Sequence, residues 1–202
     1  MENNNELKVQ ITYNWQVNNN NLNGKFKGNA QCGPTSCCMT LSAFISDASK
    51  DEFVKKFIEI IDKDWLDGKI KTRQSAFQFN YEKTINQLLK ENSINKKAIV
   101  KPHSGTIEDI THALSKGSPI MTSTMLTKDG HYIVIVGINP VNGYFIVHDP
   151  YGRFDFQKNT YVEVKDGVGA FIQYPINLLS LAMEKSSLAA ANKKGYRMIW
   201  IE

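Results

Sequence analysis

Three residues have the types and surroundings that nucleophilic attack on an amide requires: Cys32, His131 and Asp149. A cysteine attacks a carbonyl carbon as the thiolate, so it needs a base, and a histidine base needs a partner that fixes its tautomer. Cys32 precedes Gly33-Pro34, which is typical of a helix start, because proline is tolerated in the first turn and glycine permits a close approach. A helix N-terminus lowers the pKa of a thiol. Cys32 is therefore the candidate nucleophile.

His131 and Asp149 lie on two strands that a hairpin would join. His131 follows the Asp129-Gly130 turn at the start of a very apolar strand, and Asp149 follows the next strand, beyond a turn near Asn142-Gly143. A hairpin centred on position 140 would place residue 149 opposite residue 131. We therefore expect His131 to be the base and Asp149 to orient it.

The remaining cysteines and histidines have other expected roles. Cys37 and Cys38 fall inside an apolar helix and are interpreted as core residues. His148 should face the opposite side of its strand from Asp149, and is interpreted as structural. No cysteine or histidine pair has zinc-ligand spacing, and no phosphate loop or dinucleotide motif is present, so neither a metal nor a cofactor is expected.

The order of predicted elements is helices first and strands afterwards, which indicates an α+β fold. A strand is predicted from Leu7 to Ile11 and an irregular loop from 17 to 30. Helices are predicted over 32–45, 51–66, 81–90, 106–114 and 175–185, and strands over 120–125, 131–138, 144–148, 161–164 and 196–201. With no repeat and no linker visible, residues 1–202 are predicted to form a single domain.

Composition excludes several classes of protein. The 202 residues are 42% hydrophobic and 22% charged, which is ordinary for a globular protein and excludes global disorder. The 24 basic and 20 acidic residues give a net charge of +4, too low to indicate nucleic-acid binding. No apolar run is long enough to span a membrane. Three cysteines within seven positions do not form a disulfide framework, which favours a reducing compartment. A monomer is expected.

Three blocks of sequence together resemble a known family. They are Gln31-Cys32-Gly33-Pro34-Thr35-Ser36, Gly130-His131-Tyr132-Ile133-Val134 and His148-Asp149-Pro150-Tyr151-Gly152. These blocks are similar to those of papain-like cysteine peptidases of the bacteriocin leader-processing type and their phage and bacterial relatives. The resemblance implies a papain-like fold, in which the nucleophile sits at a helix N-terminus packed on an antiparallel sheet. It also implies that Cys32 is the nucleophile, His131 the general base and Asp149 its orienter.

The family pattern includes a glutamine before the cysteine that completes the oxyanion hole. Gln31 is adjacent to Cys32 and is expected to point elsewhere. Gln16, which follows the first predicted strand, is preferred although it lies farther upstream than usual. The loop between the two would then be an insertion.

The resemblance implies a cysteine peptidase acting on a peptide, and small stand-alone members resemble phage or virion-associated enzymes that cleave peptidoglycan. No signal peptide is visible, so the protein is expected to be cytoplasmic as synthesised and to reach the wall by release or with a virion. Three alternatives remain open on the same scaffold: a peptidase that processes leader peptides or proteins, an acyl transferase to amines, and a binding module without catalysis.

Overall fold

The computed structural model describes residues 6–21, 31–66 and 81–202, and these residues form five α-helices and nine β-strands. A 3-10 segment covers Gln16–Asn21. The helices are α1 Cys32–Leu41, α2 Asp51–Leu66, α3 Glu82–Glu91, α4 Ile107–Ser115 and α5 Ile176–Ala191. In this part of the chain no helix has both the length and the apolar character that crossing a membrane would require.

The strands form an antiparallel sheet and a separate hairpin. The strands are β1 Leu7–Lys8, β2 Ala98–Gly105, β3 Ile120–Thr124, β4 His131–Asn139, β5 Tyr144–His148, β6 Arg153–Asp155, β7 Thr160–Glu163, β8 Ile172–Pro175 and β9 Tyr196–Ile201. The main sheet has the order β2-β9-β3-β4-β5-β8, with β1 also paired to β4, and β6 pairs with β7 in a second sheet. The predicted α+β class is confirmed.

Apolar side chains on alternate positions of the sheet are buried on both of its faces. Met121 and Ile199 pack with residues of α1, α2 and α3 on one face, whereas Ile120 and Met198 pack with α4 and α5 on the other. Helix α1 is buried from Thr35 to Leu41, as its small and apolar sequence predicts. The helix that begins at Cys32 is therefore fixed within the core.

The boundaries of the helices follow local signals. Helix α4 begins with the predicted capping box, in which the Thr106 side chain accepts from Asp109 N at 3.3 Å and Thr106 N donates to Asp109 Oδ2 at 3.1 Å. Helix α1 ends at Leu41, four residues earlier than predicted. The backbone N–H of Ser42 closes that turn on Cys38 and its hydroxyl donates to the Met39 carbonyl.

Strands β2, β6 and β8 were not predicted. Strands β2 and β8 are the two ends of the main sheet, where partial exposure removes the alternating pattern and where Pro102 and Pro175 are tolerated. The predicted Leu7–Ile11 strand is also shorter, because β3 occupies the same edge of β4 from His131 to Ile135. Edge strands carry the weakest sequence signal in this sheet.

The β4–β5 register differs from the predicted one. Val134 pairs with His148 and Ile135 with Val147, and a bulge then shifts the pairing so that Asn139 faces Tyr144. Direct pairing of residue 131 with residue 149 was therefore wrong. Continued by the same register, residue 149 lies opposite residue 133, so His131 and Asp149 are diagonal neighbours on one face of the sheet.

Candidate active site

Cys32 is the first residue of α1 and is partly exposed. One turn later, the Ser36 hydroxyl donates to the carbonyl of Tyr132 at 3.1 Å. This bond ties α1 to β4 directly beside His131. The start of the helix and the start of the strand are therefore held together by a contact that does not involve the reactive groups.

Gly33 is buried against the side chain of Tyr81. A Cβ atom at position 33 would overlap the Tyr81 hydroxyl oxygen and would lie 3.4 Å from the Tyr132 ring. The group that approaches Gly33 closely is therefore the Tyr81 side chain of the protein itself. The Tyr81 and Tyr132 rings meet edge to face, with 6.0 Å between their centroids.

His131 is the first residue of β4, and a tight turn delivers it. Gly130 has a φ of 82°, and the Thr127 hydroxyl donates to its carbonyl at 2.7 Å. Only 4% of His131 is exposed. Its Nε2 atom lies 2.7 Å from Oδ1 of Asp149, and its ring also hydrogen-bonds the Cys32 thiol. Because Nε2 faces the carboxylate, Nδ1 is the nitrogen available to the sulfur.

The Asp149 carboxylate is completely buried and accepts four hydrogen bonds. Oδ1 accepts from His131 Nε2 and from the Tyr151 backbone N–H at 3.1 Å. Oδ2 accepts from the hydroxyl groups of Tyr161 at 2.9 Å and Tyr174 at 3.1 Å. These four hydrogen bonds offset the cost of burying the carboxylate away from water.

The backbone of Asp149 is held as firmly as its side chain. Its N–H donates to the Gly169 carbonyl at 2.8 Å, and its carbonyl accepts from the Tyr13 hydroxyl at 3.0 Å. A Cβ atom at position 169 would overlap that carbonyl oxygen. Glycine is therefore required at position 169 for this loop to pack against Asp149.

The electrostatics favour a thiolate beside an imidazolium. Burial alone would raise the pKa of Cys32, but the hydrogen bond and charge of His131, with the backbone amides of Tyr132 and Gly33, outweigh it and lower that pKa below its ordinary value. Burial alone would lower the pKa of His131, but the Asp149 carboxylate and Cys32 raise it to about 10. Both shifts stabilise the ion pair.

The other two cysteines have the opposite character. Cys37 and Cys38 are completely buried, and burial raises the pKa of each thiol well above its usual range. Cys37 Sγ lies 3.2 Å from the sulfur of Met121. All three thiols are free, yet only Cys32 combines exposure with a lowered pKa.

His148 lies on the other side of its strand from Asp149, as predicted. It packs edge to face on Phe171, with 4.3 Å between ring centroids, and on Tyr13. Burial and the nearby charge of Lys8 lower the pKa of His148 to about 3. His148 is therefore a neutral core residue at ordinary pH.

The two candidate glutamines are both buried, with 1% of each exposed. The backbone N–H of Gln16 donates to the carbonyl of Pro150 at 2.9 Å, so Gln16 lies beside the loop that carries Asp149. Gln31 precedes α1, and its carbonyl accepts the Thr35 N–H of the first turn. The role of Gln16 as an oxyanion donor stays a prediction.

His103 and His112 make contacts elsewhere in the protein. His103 Nδ1 lies 3.4 Å from the Ser187 hydroxyl, and His112 Nε2 lies 3.3 Å from a carboxylate oxygen of Glu202. Within the described ranges, no group of three or more His, Cys, Asp and Glu side chains is arranged to hold a metal ion.

Tyr161 and Tyr174 were not among the candidates that the sequence offered. Both lie downstream of Asp149, on β7 and β8, in the region where the sequence blocks give least guidance. A tyrosine within a strand has no local feature that distinguishes a ligand of a buried carboxylate from an ordinary core residue. Only the tertiary structure brings these hydroxyl groups to Asp149.

The chain was compared with models of protein families. A model described as the Peptidase_C39 like family matches residues 8–174, a segment that includes Gln16, Cys32, His131 and Asp149. The search of curated proteins finds no match.

Proposed function

Since the chain belongs to the Peptidase_C39-like family of cysteine peptidases, we propose that Cys32, His131 and Asp149 are its catalytic triad. The observation that carries the proposal is the position of His131, buried between the Asp149 carboxylate at 2.7 Å and the Cys32 thiol. Such an arrangement has the order of nucleophile, base and orienter that amide hydrolysis needs.

In the first half of the reaction, His131 holds the proton that Cys32 has lost, and the thiolate attacks the carbonyl carbon of the scissile amide. A carbon–sulfur bond forms and the carbonyl oxygen becomes an oxyanion. The imidazolium then gives its proton to the leaving nitrogen as the carbon–nitrogen bond breaks, which leaves an acyl-enzyme and a free amine.

In the second half, His131 takes a proton from water, and the hydroxide attacks the acyl-enzyme. The carbon–sulfur bond breaks, the acid product leaves, and Cys32 is again a thiolate beside an imidazolium. Asp149 accepts a hydrogen bond from Nε2 of His131 throughout and keeps Nδ1 directed at the sulfur.

The oxyanion is expected to bind at the N-terminus of α1. The first backbone N–H groups of a helix have no partner within the helix, so the N–H of Cys32 is available to a substrate oxygen. We assign the second donor to the side-chain amide of Gln16, whose backbone is fixed next to Asp149. Loss of such a donor typically lowers kcat by about 10²- to 10³-fold.

The proposed substrate is a peptide link of the bacterial cell wall. The support for this assignment is the resemblance of the three sequence blocks to stand-alone phage and bacterial members, together with a net charge of +4 that favours approach to an anionic envelope. The proposed product is a new amino terminus in the peptide stem.

The test is to incubate the purified protein with peptidoglycan and to label new amino termini, with Cys32→Ala as the inactive control. The wild type is expected to release amino termini that the variant does not. Cleavage of a soluble peptide with no release of amino termini from peptidoglycan would contradict the proposed wall substrate but would still support peptidase activity. Equal labelling of Cys32, Cys37 and Cys38 by iodoacetamide would contradict catalysis itself.

A further inference from the structure

We propose that Tyr161 and Tyr174 are positioning residues for this reaction, whose hydroxyl groups hold the Asp149 carboxylate directed at His131. The inference rests on the proposed function and adds two residues to its machinery. Both hydroxyl groups donate to the same oxygen, Oδ2, at 2.9 and 3.1 Å.

The hydrogen-bonding capacity of Asp149 is fully used. A carboxylate has about four lone-pair sites, and two hydrogen bonds on each oxygen occupy them. With none of the residue exposed, water cannot replace a missing donor. Each hydroxyl therefore helps to keep the carboxylate in the position from which it raises the pKa of His131.

The two hydroxyl groups reach Oδ2 from separate sheets. Tyr161 lies on β7 of the two-stranded sheet, and Tyr174 lies on β8 at the edge of the main sheet. Turning the carboxylate away from His131 would break both bonds. The two bonds to Oδ2 thus prevent the carboxylate from rotating and keep Oδ1 directed at His131.

Both phenols remain donors over the whole pH range in which the protein can act. Burial, and then the charge of Asp149, raise the pKa of Tyr161 and of Tyr174 above the ordinary value of tyrosine. Of the four donors to Asp149, His131 is therefore the one that changes protonation during the reaction.

The two tyrosines differ in what else they do. The Tyr174 hydroxyl also accepts the backbone N–H of Phe154 at 2.9 Å, so its removal would leave a buried N–H without that bond. The Tyr161 hydroxyl, by contrast, donates to Asp149 on a ring that Phe would keep. Tyr161→Phe therefore removes the donor to Asp149 with the least other change.

The experiment measures the rate at which iodoacetamide alkylates Cys32 as a function of pH, with peptide mapping to separate Cys32 from the buried thiols. Tyr161→Phe is compared with the wild type and with Tyr144→Phe. The latter is a matched control, because the Tyr144 hydroxyl also donates to a carboxylate, that of Glu6, at 2.8 Å. Circular dichroism at each pH verifies that all three proteins are folded.

We expect Tyr161→Phe to move the acid midpoint of Cys32 alkylation to higher pH by about one pH unit, equivalent to about a tenfold slower rate at a fixed acidic pH. The reason is that a carboxylate with one donor fewer is held less firmly against His131, which weakens its stabilising interaction with the imidazolium and, through it, with the thiolate. Tyr144→Phe is expected to match the wild type.

An unchanged midpoint in Tyr161→Phe would overturn the inference, and so would a slower rate without a shift of the midpoint. The proposed function fails differently. If wild-type Cys32 titrates at the same pH in the folded protein as in urea, the triad itself is wrong, whatever the variant does.

Discussion

Replacing Asp149 with asparagine would remove one buried negative charge and leave the shape of the site almost unchanged. Oδ1 faces two donors that cannot reverse, the Nε2–H of His131 and the backbone N–H of Tyr151. Oδ2 faces two hydroxyl groups, which can rotate and accept instead. The amide oxygen is therefore expected at the Oδ1 position and the NH₂ group toward the tyrosines, so the tautomer of His131 is retained.

The size of the effect follows from the distance between the charges. With the carboxylate and imidazolium centres about 4 Å apart and an effective dielectric constant of about 20, the lost attraction is about 4 kcal/mol, or about three pH units. The pKa of His131, which is about 10 in the wild type, is then expected to be about 7 in the variant. The fraction of Cys32 that is ionised to the thiolate at neutral pH is expected to fall together with the pKa of His131.

The measurement is an NMR titration of protein labelled with ¹³C in its four histidines. Glu163→Gln is the matched control, because it removes an exposed carboxylate that lies 3.0 Å from Arg153, and it should leave the His131 titration unchanged. A His131 pKa in Asp149→Asn equal to that of the wild type would refute the claim that the Asp149 charge sustains the imidazolium.

Gly33→Ala should lower the free energy of unfolding by about 1–3 kcal/mol, because the new methyl group overlaps the Tyr81 hydroxyl, and Tyr81→Phe in the same chain should restore part of it. Gly169→Ala should slow alkylation of Cys32 as well as lower stability, because its methyl group displaces the Asp149 carbonyl. His148→Phe should make the protein less sensitive to acid. Neutral His148 contributes stability that is lost as the pH falls from about 6.5 toward 3, at about 1.4 kcal/mol per pH unit.

Urea unfolding measures each of these stabilities. Additive effects of Gly33→Ala and Tyr81→Phe would show that the two side chains do not compete for space. If Gly169→Ala is less stable but Cys32 is alkylated at the wild-type rate, the loop that contains Gly169 does not influence the site. Parallel stability curves for His148→Phe and the wild type between pH 6 and pH 3 would contradict the neutral buried imidazole.

Elements with a regular local pattern could be predicted from the sequence. Helix α2, strand β5 and strand β9 have the predicted boundaries, because charged residues or turns mark their ends and their apolar residues recur with one period. The start of α1 at Cys32 was also predicted, from Gly33-Pro34. These features depend on neighbours in the chain.

Features that depend on distant residues could not be predicted. The register between β4 and β5 was misplaced by two residues at His148, because the turn is centred between residues 141 and 142 rather than at 140, and a bulge near Val136 then changes the pairing by one residue. The hydroxyl groups on Asp149 come from residues 12 and 25 positions away in the chain. The diagonal arrangement nevertheless brings His131 and Asp149 together, since both side chains remain on the same face of the sheet.

Strand β9 follows all the other described strands in the chain but lies between β2 and β3 in the sheet. Until the ribosome releases these residues, β2 and β3 each present an unpaired edge, and the apolar side chains of Met198 and Trp200 are missing from the core. A nascent chain can therefore form its helices early but cannot complete the sheet that contains His131. Synthesis must therefore extend beyond β9 before the protein can be active, and products truncated before Tyr196 are expected to aggregate.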